Sequence, residues 1–228
     1  MSEQQDPFDH LREQMVHSCS IYLISPLETG GDFPDRLAAV LTASEGLKTG
    51  VTAFQFRVKD TDEHEAARLA APLRKICADH DVAFIVNDSI SLAKRLDADG
   101  VHLGQEDGLV ADARQRLGRD AQIGVTCHNS RHLAMGAGDA GADYVAFGAF
   151  FPSETKQVEH HAETEVLSWW QSIFEIPCVA IGGITADNCA PLVRAGADFI
   201  AVSGGVWNGD AVANTKALAE AIRVALIR

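Results

Sequence analysis

Short apolar segments alternate with longer, alanine-rich segments along almost the whole chain, and this alternation limits the possible folds more than any other feature. The apolar segments have the length and β-branched composition of strands, and the segments between them have the length of helices. We predict eight strands, at Ile21–Ser25, Val51–Arg57, Val82–Val86, Gly100–Leu103, Gln122–Thr126, Tyr144–Gly148, Cys178–Gly182 and Phe199–Ser203. We predict eight helices, at Asp35–Leu47, Glu63–His80, Ser89–Leu96, Val110–Leu117, Arg131–Ala140, Glu163–Ile173, Ala186–Ala195 and Ala211–Ile227.

The order of these elements indicates a parallel sheet. Strands that are apolar on both faces are typical of parallel sheets covered by helices. Eight βα units in about 210 residues are the makeup of a closed (β/α)8 barrel. We therefore predict an α/β fold, a single-domain TIM barrel with a parallel sheet. A doubly wound open sheet is the alternative.

A weak internal repeat supports the barrel. The segments Asp97–Leu103 (DADGVHL), Gly141–Phe147 (GADYVAF) and Gly196–Val202 (GADFIAV) each lead from a helix end into a strand. Glycine at the start of a copy suits the left-handed conformation that often ends a helix. The spacing of the copies corresponds to one or two βα units.

We predict that the 228 residues divide into a polar N-terminal arm, residues 1–18, and a (β/α)8 barrel domain, residues 19–228. The arm lacks the basic and apolar regions of a secretory signal, and no apolar run approaches the roughly 18–20 residues of a membrane span. The five cysteines are scattered without a C-x-x-C pair, which is typical of a reducing compartment. We expect a cytoplasmic protein.

The formal net charge of -13 argues against nucleic acid or an anionic membrane as a partner. It leaves room for a local cationic pocket that binds a phosphorylated small molecule. The sequence leaves open whether the chain forms a homo-oligomer.

Three polar residues end the second predicted strand, in the segment VTAFQFRVKD. Alternate side chains of a strand share a face, so Gln55, Arg57 and Lys59 point the same way. An amide and two cations aimed into a site are explained by an anionic ligand, and a phosphate or diphosphate is the simplest one. The alternative is a solvated strand end.

A carboxylate follows each of the next two strands. Asp88 comes after Asn87, and Asp107 ends the segment Gly104–Asp107. Catalytic groups of a TIM barrel lie beyond the carboxyl ends of the strands, and Mg²⁺ is often held by one or two carboxylates together with phosphate oxygens. The alternative role for each aspartate is helix N-capping.

Hydroxyl groups, cations and glycines follow the remaining strands. Thr126 and His128 come after the fifth strand, and Ser153–Lys156 (SETK) comes after the sixth. Glycines after the seventh and eighth strands, in the segments Gly182–Thr185 and Ser203–Gly205, allow backbone N–H groups to approach a phosphate. The chain therefore offers two anion sites, which suggests two phosphorylated substrates.

Over roughly residues 20–225 the ordered motifs resemble the thiamine-phosphate synthase family. The motifs are QFRVK, ND, GQED, GVTCH, SETK, GGI and VSG. The resemblance implies a TIM-barrel enzyme that joins a hydroxymethylpyrimidine diphosphate to a thiazole phosphate, releases diphosphate and uses Mg²⁺.

The resemblance also assigns residues to these ligands. Metal binding falls to Asp88 and Asp107, and the catalytic cations are Arg57, Lys59 and Lys156. The pyrimidine diphosphate would contact Gln55, Phe56, Arg57, Val58, Lys59, Asn87, Thr126 and Lys156. The thiazole phosphate would contact Ser153, Glu154, Thr155, Gly183, Ser203 and Gly204.

Three positions depart from the family pattern. Ser89 follows Asn87-Asp88 where an acidic or basic residue is common, Ser153 replaces a threonine, and the eighth strand ends in Ser-Gly-Gly rather than Ile-Ser-Ala. One alternative is a thiazole tautomerase-like enzyme, in which His128 would be the base, but that class lacks the paired carboxylates. The other is a non-catalytic barrel that binds a thiamine precursor.

Overall fold

The structure is a computed structural model that describes residues 17–152 and 161–227. Eight parallel strands form a closed barrel in which each strand pairs with its neighbours in sequence and the last pairs with the first. The strands are β1 (Ser20–Ile24), β2 (Val51–Phe56), β3 (Ala83–Asn87), β4 (Gly100–Leu103), β5 (Gln122–His128), β6 (Tyr144–Gly148), β7 (Cys178–Ile181) and β8 (Phe199–Val202). The helices are α1 (Phe33–Ser44), α2 (Glu63–Asp79), α3 (Ile90–Leu96), α4 (Val110–Leu117), α5 (Arg131–Asp139), α6 (Glu165–Gln171), α7 (Ala190–Arg194), α8 (Gly204–Trp207) and α9 (Ala211–Ile227).

The TIM barrel predicted from the alternation is confirmed, and the open sheet is wrong. Most element bounds differ from the predicted ones by one to three residues; α1, for example, spans Phe33–Ser44 rather than Asp35–Leu47, and β2 ends at Phe56, so that Arg57 follows the strand. Three further differences concern the site. Strand β5 continues to His128, so Thr126 lies within the strand rather than after it. Helix α7 begins at Ala190 rather than Ala186. The short helix α8 was not predicted, because Gly204 and Gly205 have low helix propensity.

Polar residues fix where three of the helices begin. The Asp62 side chain accepts hydrogen bonds from the N–H groups of His64 and Glu65 at the start of α2. Ser89 and Ser130 each accept one from the third residue of α3 and of α5. These bonds satisfy N–H groups that have no partner within the helix.

The strands separate two apolar layers. Ile21 and Leu23 belong to the large core between barrel and helices, whereas Tyr22 and Ile24 belong to a smaller cluster inside the barrel. Gly124 makes room in that inner cluster, because a Cβ there would lie 1.9 Å from the Tyr144 ring. Glycine at position 124 therefore leaves room for the Tyr144 side chain inside the barrel, and any larger residue there would collide with it.

The third residue of each repeat copy is an aspartate that closes the amino-terminal end of the barrel. Its backbone N–H donates to the carbonyl of a residue at the start of the preceding strand, and its carboxylate accepts from the same residue's N–H. The carboxylate distances are 2.7 Å for Asp99 with Phe84, 2.7 Å for Asp143 with Ile123 and 2.8 Å for Asp198 with Cys178. The repeat is therefore a structural joint between neighbouring strands.

The first residue of each copy has the left-handed conformation that the repeat predicts. The φ angles are 89° at Gly141, 102° at Gly196 and 49° at Asp97. Aspartate tolerates this region better than most residues, which explains how Asp97 replaces glycine in the first copy.

Among the described residues, no helix has the length and apolar character needed to cross a bilayer.

Candidate active site at the carboxyl end of the barrel

Two cations follow β2 at the mouth of the barrel. Within residues 17–152 and 161–227, neither the Arg57 guanidinium nor the Lys59 ammonium forms a hydrogen bond or ion pair. Both lie close enough to the Asp88 carboxyl to favour its charged form, and so they limit the rise in its pKa that is described below. The Arg57 backbone is held on both sides by Ser25, whose Oγ accepts from the Arg57 N–H at 2.9 Å and donates to its carbonyl at 3.0 Å. The strand end is therefore rigid while its charges remain available to a ligand.

Asp88 and Asp107 face each other across the ends of β3 and β4. Partial burial of the carboxyl group, a hydrogen bond shared with Asp107 and repulsion from its charge together raise the pKa of Asp88 to about 6. The Asp88 side chain as a whole remains exposed, and a cleft of about 360 Å³ lies beside the pair. Two facing carboxylates that repel each other when charged are a favourable place for a cation reached from solvent.

Neither aspartate is a helix cap, which was the alternative role. Ser89 caps α3 through its own hydroxyl, and α4 begins after Leu109. The Asp107 carboxylate instead accepts from the Gly104 N–H at 2.8 Å, and a Cβ at Gly104 would come within 2.5 Å of that carboxylate. Asp88 has the uncommon φ of 65°, and such outliers cluster at functional sites.

A chain of hydrogen bonds crosses the barrel interior below this mouth. Gln55 Nε2 donates to the Tyr22 hydroxyl at 3.1 Å, and that hydroxyl lies 2.8 Å from the Tyr144 hydroxyl. His102 Nδ1 lies 3.1 Å from the Tyr144 hydroxyl, and its Nε2 lies 2.8 Å from Thr126 Oγ1. We call these five residues, from β1, β2, β4, β5 and β6, the interior chain.

Burial shifts the pKa values within the interior chain. It lowers the pKa of His102 to about 4 and raises that of Tyr22 to about 12, while the pKa of Tyr144 is also raised. Tyr22, Tyr144 and His102 were not predicted from the sequence as site residues. The available signal was a polar side chain inside an apolar strand, which is costly to bury unless it is hydrogen-bonded.

The other predicted residues of β2 and β3 lie where the alternation of side chains places them. The Phe56 side chain points out of the barrel and stacks on Phe84, with ring centroids 6.0 Å apart. Val58 packs against the same outer core. Only the backbone of these two residues is left for a ligand. Asn87 ends β3, next to Asp88.

The glycine loops after β7 and β8 contact each other and the loop after β6. Gly183 has a φ of 63°, and a Cβ there would lie 2.3 Å from the Pro152 carbonyl. A Cβ at Gly205 would lie 2.2 Å from the Ile184 carbonyl. The Ser203 hydroxyl donates to the Ser25 carbonyl at 3.2 Å, so the backbone of Ser203 and Gly204, rather than this hydroxyl, is what the loop can present to a ligand.

The predicted residues Ser153, Glu154, Thr155 and Lys156 lie outside the described residues. His128 lies at the end of β5 with a φ of 53° and interacts with its surroundings. Within the described ranges, no group of three or more His, Cys, Asp or Glu side chains is placed to hold a metal ion. A metal between Asp88 and Asp107 would need further oxygen ligands from substrate or water.

A closed (β/α)8 barrel with cations and an acidic pair beyond its strand ends defines a TIM-barrel enzyme with a site suited to phosphorylated compounds. The sequence narrows this class further. Residues 21–206 match the family model described as thiamine monophosphate synthase. The chain belongs to this family.

Individual relatives agree. The chain is 66% identical over 207 residues to the thiamine-phosphate synthase of Erythrobacter litoralis, covering 90% of this chain and 96% of the relative. It is 52% identical over 191 residues to that of Rhodospirillum centenum, covering 83% and 90%. The structure of thiamine phosphate pyrophosphorylase from Pyrococcus furiosus is similar, with a TM-score of 0.79 at 28% identity over 93% of this chain and all of that one.

Proposed function

We propose that this enzyme joins 4-amino-2-methyl-5-(diphosphooxymethyl)pyrimidine to a thiazole phosphate and releases diphosphate, with thiamine phosphate as the product. The observation that carries the proposal is the arrangement at the barrel mouth, where the Asp88–Asp107 pair lies within electrostatic reach of Arg57 and Lys59. Family membership and the names of the relatives support it over a tautomerase or a non-catalytic barrel.

We propose Mg²⁺ as the cofactor, held by Asp88 and Asp107. The donor set fits, because both ligands are carboxylates, both side chains are exposed at the mouth, and their mutual repulsion is relieved by a divalent cation. Two protein ligands leave room for phosphate oxygens and water. When bound, the ion would neutralise charge on the diphosphate.

The diphosphate would lie between the acidic pair and the end of β2. Arg57 and Lys59 would bind its oxygens, with Lys156 as a third cation. Gln55, Asn87 and the Thr126 hydroxyl would complete the pocket for the pyrimidine substrate, and Phe56 and Val58 would contribute only backbone groups.

The thiazole phosphate would bind on the opposite side of the mouth. The glycine loops at Gly183 and Ser203-Gly204 support this placement, because their close packing leaves backbone rather than side chains to meet a ligand. Ser153, Glu154 and Thr155 would complete this subsite.

The chemistry needs no protein nucleophile. Loss of diphosphate from the pyrimidine methylene leaves a resonance-stabilised cation, which the thiazole nitrogen then attacks. The work of Arg57, Lys59 and Lys156 is to stabilise charge on the leaving group. Such preorganised electrostatic stabilisation is usually the largest contribution to catalysis.

A cytoplasmic location is part of the proposal. The five cysteines are all buried and free, which supports a reducing compartment.

The test is an assay with both substrates and Mg²⁺ that follows thiamine phosphate and diphosphate, on the wild type and on Asp88→Ala and Arg57→Ala. We expect each variant to lose about 10²–10³ in rate. Asp120→Ala and Arg119→Ala are the controls, because both side chains are more than 90% exposed, in the loop that precedes β5.

Turnover that requires both substrates and Mg²⁺, and that falls only in the first pair of variants, is the expected result. Absence of turnover in a folded wild-type protein that still binds the pyrimidine diphosphate with Mg²⁺ would overturn the synthase and favour the non-catalytic barrel. Conversion of a thiazole phosphate without the pyrimidine substrate would favour the tautomerase.

A further inference from the structure

The interior chain is a run of polar side chains where a barrel usually packs apolar ones. Gln55, Tyr22, His102 and Tyr144 are each less than 10% exposed, and each hydrogen bond joins residues at least 24 positions apart in sequence. Its ends, Gln55 and Thr126, are two residues that we place on the pyrimidine substrate. The interior chain therefore connects two sides of one pocket through the centre of the barrel.

Counting hydrogen-bond donors shows in which direction the protons point along the interior chain. The Gln55 amide nitrogen can only donate, so the Tyr22 oxygen accepts from it. The only other described partner of the Tyr22 hydroxyl is Tyr144, so its proton goes to the Tyr144 oxygen. The Tyr144 proton then goes to His102 Nδ1.

The same count determines which nitrogen of the His102 imidazole carries the proton. With Nδ1 accepting, His102 carries its proton on Nε2 and donates to Thr126 Oγ1. A doubly protonated ring would place a second donor on the Tyr144 oxygen and leave the Tyr144 proton without an acceptor in a buried position. The Thr126 proton cannot point back toward a nitrogen that already carries one.

From this direction we infer that His102 and Tyr144 are positioning residues, which turn the Thr126 hydroxyl so that its proton points out of the barrel interior toward an anion at the mouth. The inference rests on the proposed function for the identity of that anion, the diphosphate of the pyrimidine substrate. Without the interior chain, the Thr126 hydroxyl could rotate and present its lone pairs to the diphosphate. The lone pairs would then repel the negatively charged diphosphate oxygens. Orientation of the donor before the substrate arrives is what makes such a group effective.

The first test reads the tautomer of His102 without any substrate. The ¹⁵N shifts of the ring distinguish Nε2–H from Nδ1–H, and the signal is assigned by its absence in His102→Gln. We expect the Nε2–H tautomer in the wild type and in Tyr22→Phe. Nδ1–H in the wild type would overturn the inference, whatever the enzymatic activity.

The second test compares Tyr144→Phe with Tyr22→Phe. Each variant removes one phenolic oxygen from the same buried pair, but only Tyr144 contacts His102. Since losing one such donor costs about 10²–10³ in rate, we expect kcat to fall by about 10²-fold in Thr126→Val and by roughly tenfold in Tyr144→Phe. In Tyr22→Phe, kcat should fall less than in Tyr144→Phe, because the bond between Tyr144 and His102 is kept. The KM for the pyrimidine substrate should rise, because Gln55 loses its partner.

A double variant separates positioning from general damage to the barrel. If Tyr144 acts through Thr126, adding Tyr144→Phe to Thr126→Val lowers kcat no further, whereas Thr126→Ser, which keeps the hydroxyl, restores sensitivity to Tyr144→Phe. Additive losses in the double variant would overturn the inference. A wild type with the expected tautomer but no synthase activity would instead overturn the proposed function and leave the direction of the chain standing.

Discussion

The two ends of the barrel use the same residue type in opposite ways. At the amino-terminal end, Asp99, Asp143 and Asp198 each accept a hydrogen bond from a strand N–H. At the carboxyl end, Asp88 and Asp107 face each other. Burial raises the pKa of Asp198 as well, but there a backbone N–H opposes the shift rather than a second carboxyl adding to it. The three aspartates at the amino-terminal end join neighbouring strands. Asp107 instead accepts from the Gly104 N–H within its own turn and faces a second carboxylate.

This contrast follows the general division of TIM barrels into a stability face and an activity face. It predicts that substitutions at one end change stability and substitutions at the other change rate.

Asp107→Asn should lower the rate of thiamine phosphate formation by about 10²–10³ and raise the Mg²⁺ concentration needed for half-maximal rate. The amide oxygen can still accept from the Gly104 N–H, so the turn is kept while the charge is lost. Steady-state kinetics over a Mg²⁺ titration measure both effects. Asp143→Asn is the matched control at the other end, and an equal loss of rate there would contradict the division.

His102 should make stability depend on pH. Its pKa is about 4 in the folded protein and 6.5 in the unfolded chain, so its contribution is complete above pH 6.5 and is lost as the pH falls toward 4. The loss should be about 2 kcal/mol by pH 5 and about 3 kcal/mol in total.

Urea unfolding at pH 7.5 and at pH 5 measures this loss. Comparison with His102→Gln isolates it, because the other groups titrate in both proteins. An equal change of unfolding free energy in the two proteins would show that His102 is not buried as the interior chain requires.

Asp143→Ala should lower the free energy of unfolding by about 1–3 kcal/mol, because it leaves the buried Ile123 N–H without an acceptor and removes the ion pair with Arg114 at 2.6 Å. We expect kcat to stay within about twofold, since the joint lies at the stability face. Asp143→Asn should cost less, because an oxygen remains for Ile123. Chemical denaturation measures the change in unfolding free energy, and the activity assay measures the change in kcat. A large fall in kcat with little loss of stability would contradict the assignment of this end to stability.

A pair of glycines tests the backbone at the amino-terminal end. Gly141 has a φ of 89°, whereas Gly136 lies inside α5, and a Cβ at either would meet nothing within 4 Å. Gly141→Ala should therefore destabilise by about 1 kcal/mol, and Gly136→Ala should stabilise by about 0.5–1 kcal/mol. Thermal unfolding measures both shifts, and a change of the same sign in both would mean that packing rather than conformation dominates.

Much of the fold and part of the site could be predicted from the sequence. The alternation of apolar and helical segments predicted all eight strands, because every strand of a parallel barrel is covered on both faces and is therefore mostly apolar. The placement of Asp88, Asp107, Arg57 and Lys59 at one end of the barrel could be predicted, because barrel topology brings strand ends to one face whatever the details of packing. The helix after β8 could not, since its two glycines carry no helical signal.

Contacts between residues far apart in sequence could be identified only from the tertiary structure. Tyr22 and Tyr144 are separated by 122 positions, and Ser203 donates to the carbonyl of Ser25 across 178. Local patterns report which way a side chain points from its own strand. They do not report which side chain it meets inside a closed barrel, because that depends on the stagger of all eight strands together. The barrel and the charges at its mouth follow from local sequence patterns, whereas the interior chain beneath them exists because closure of the barrel brings distant strands together.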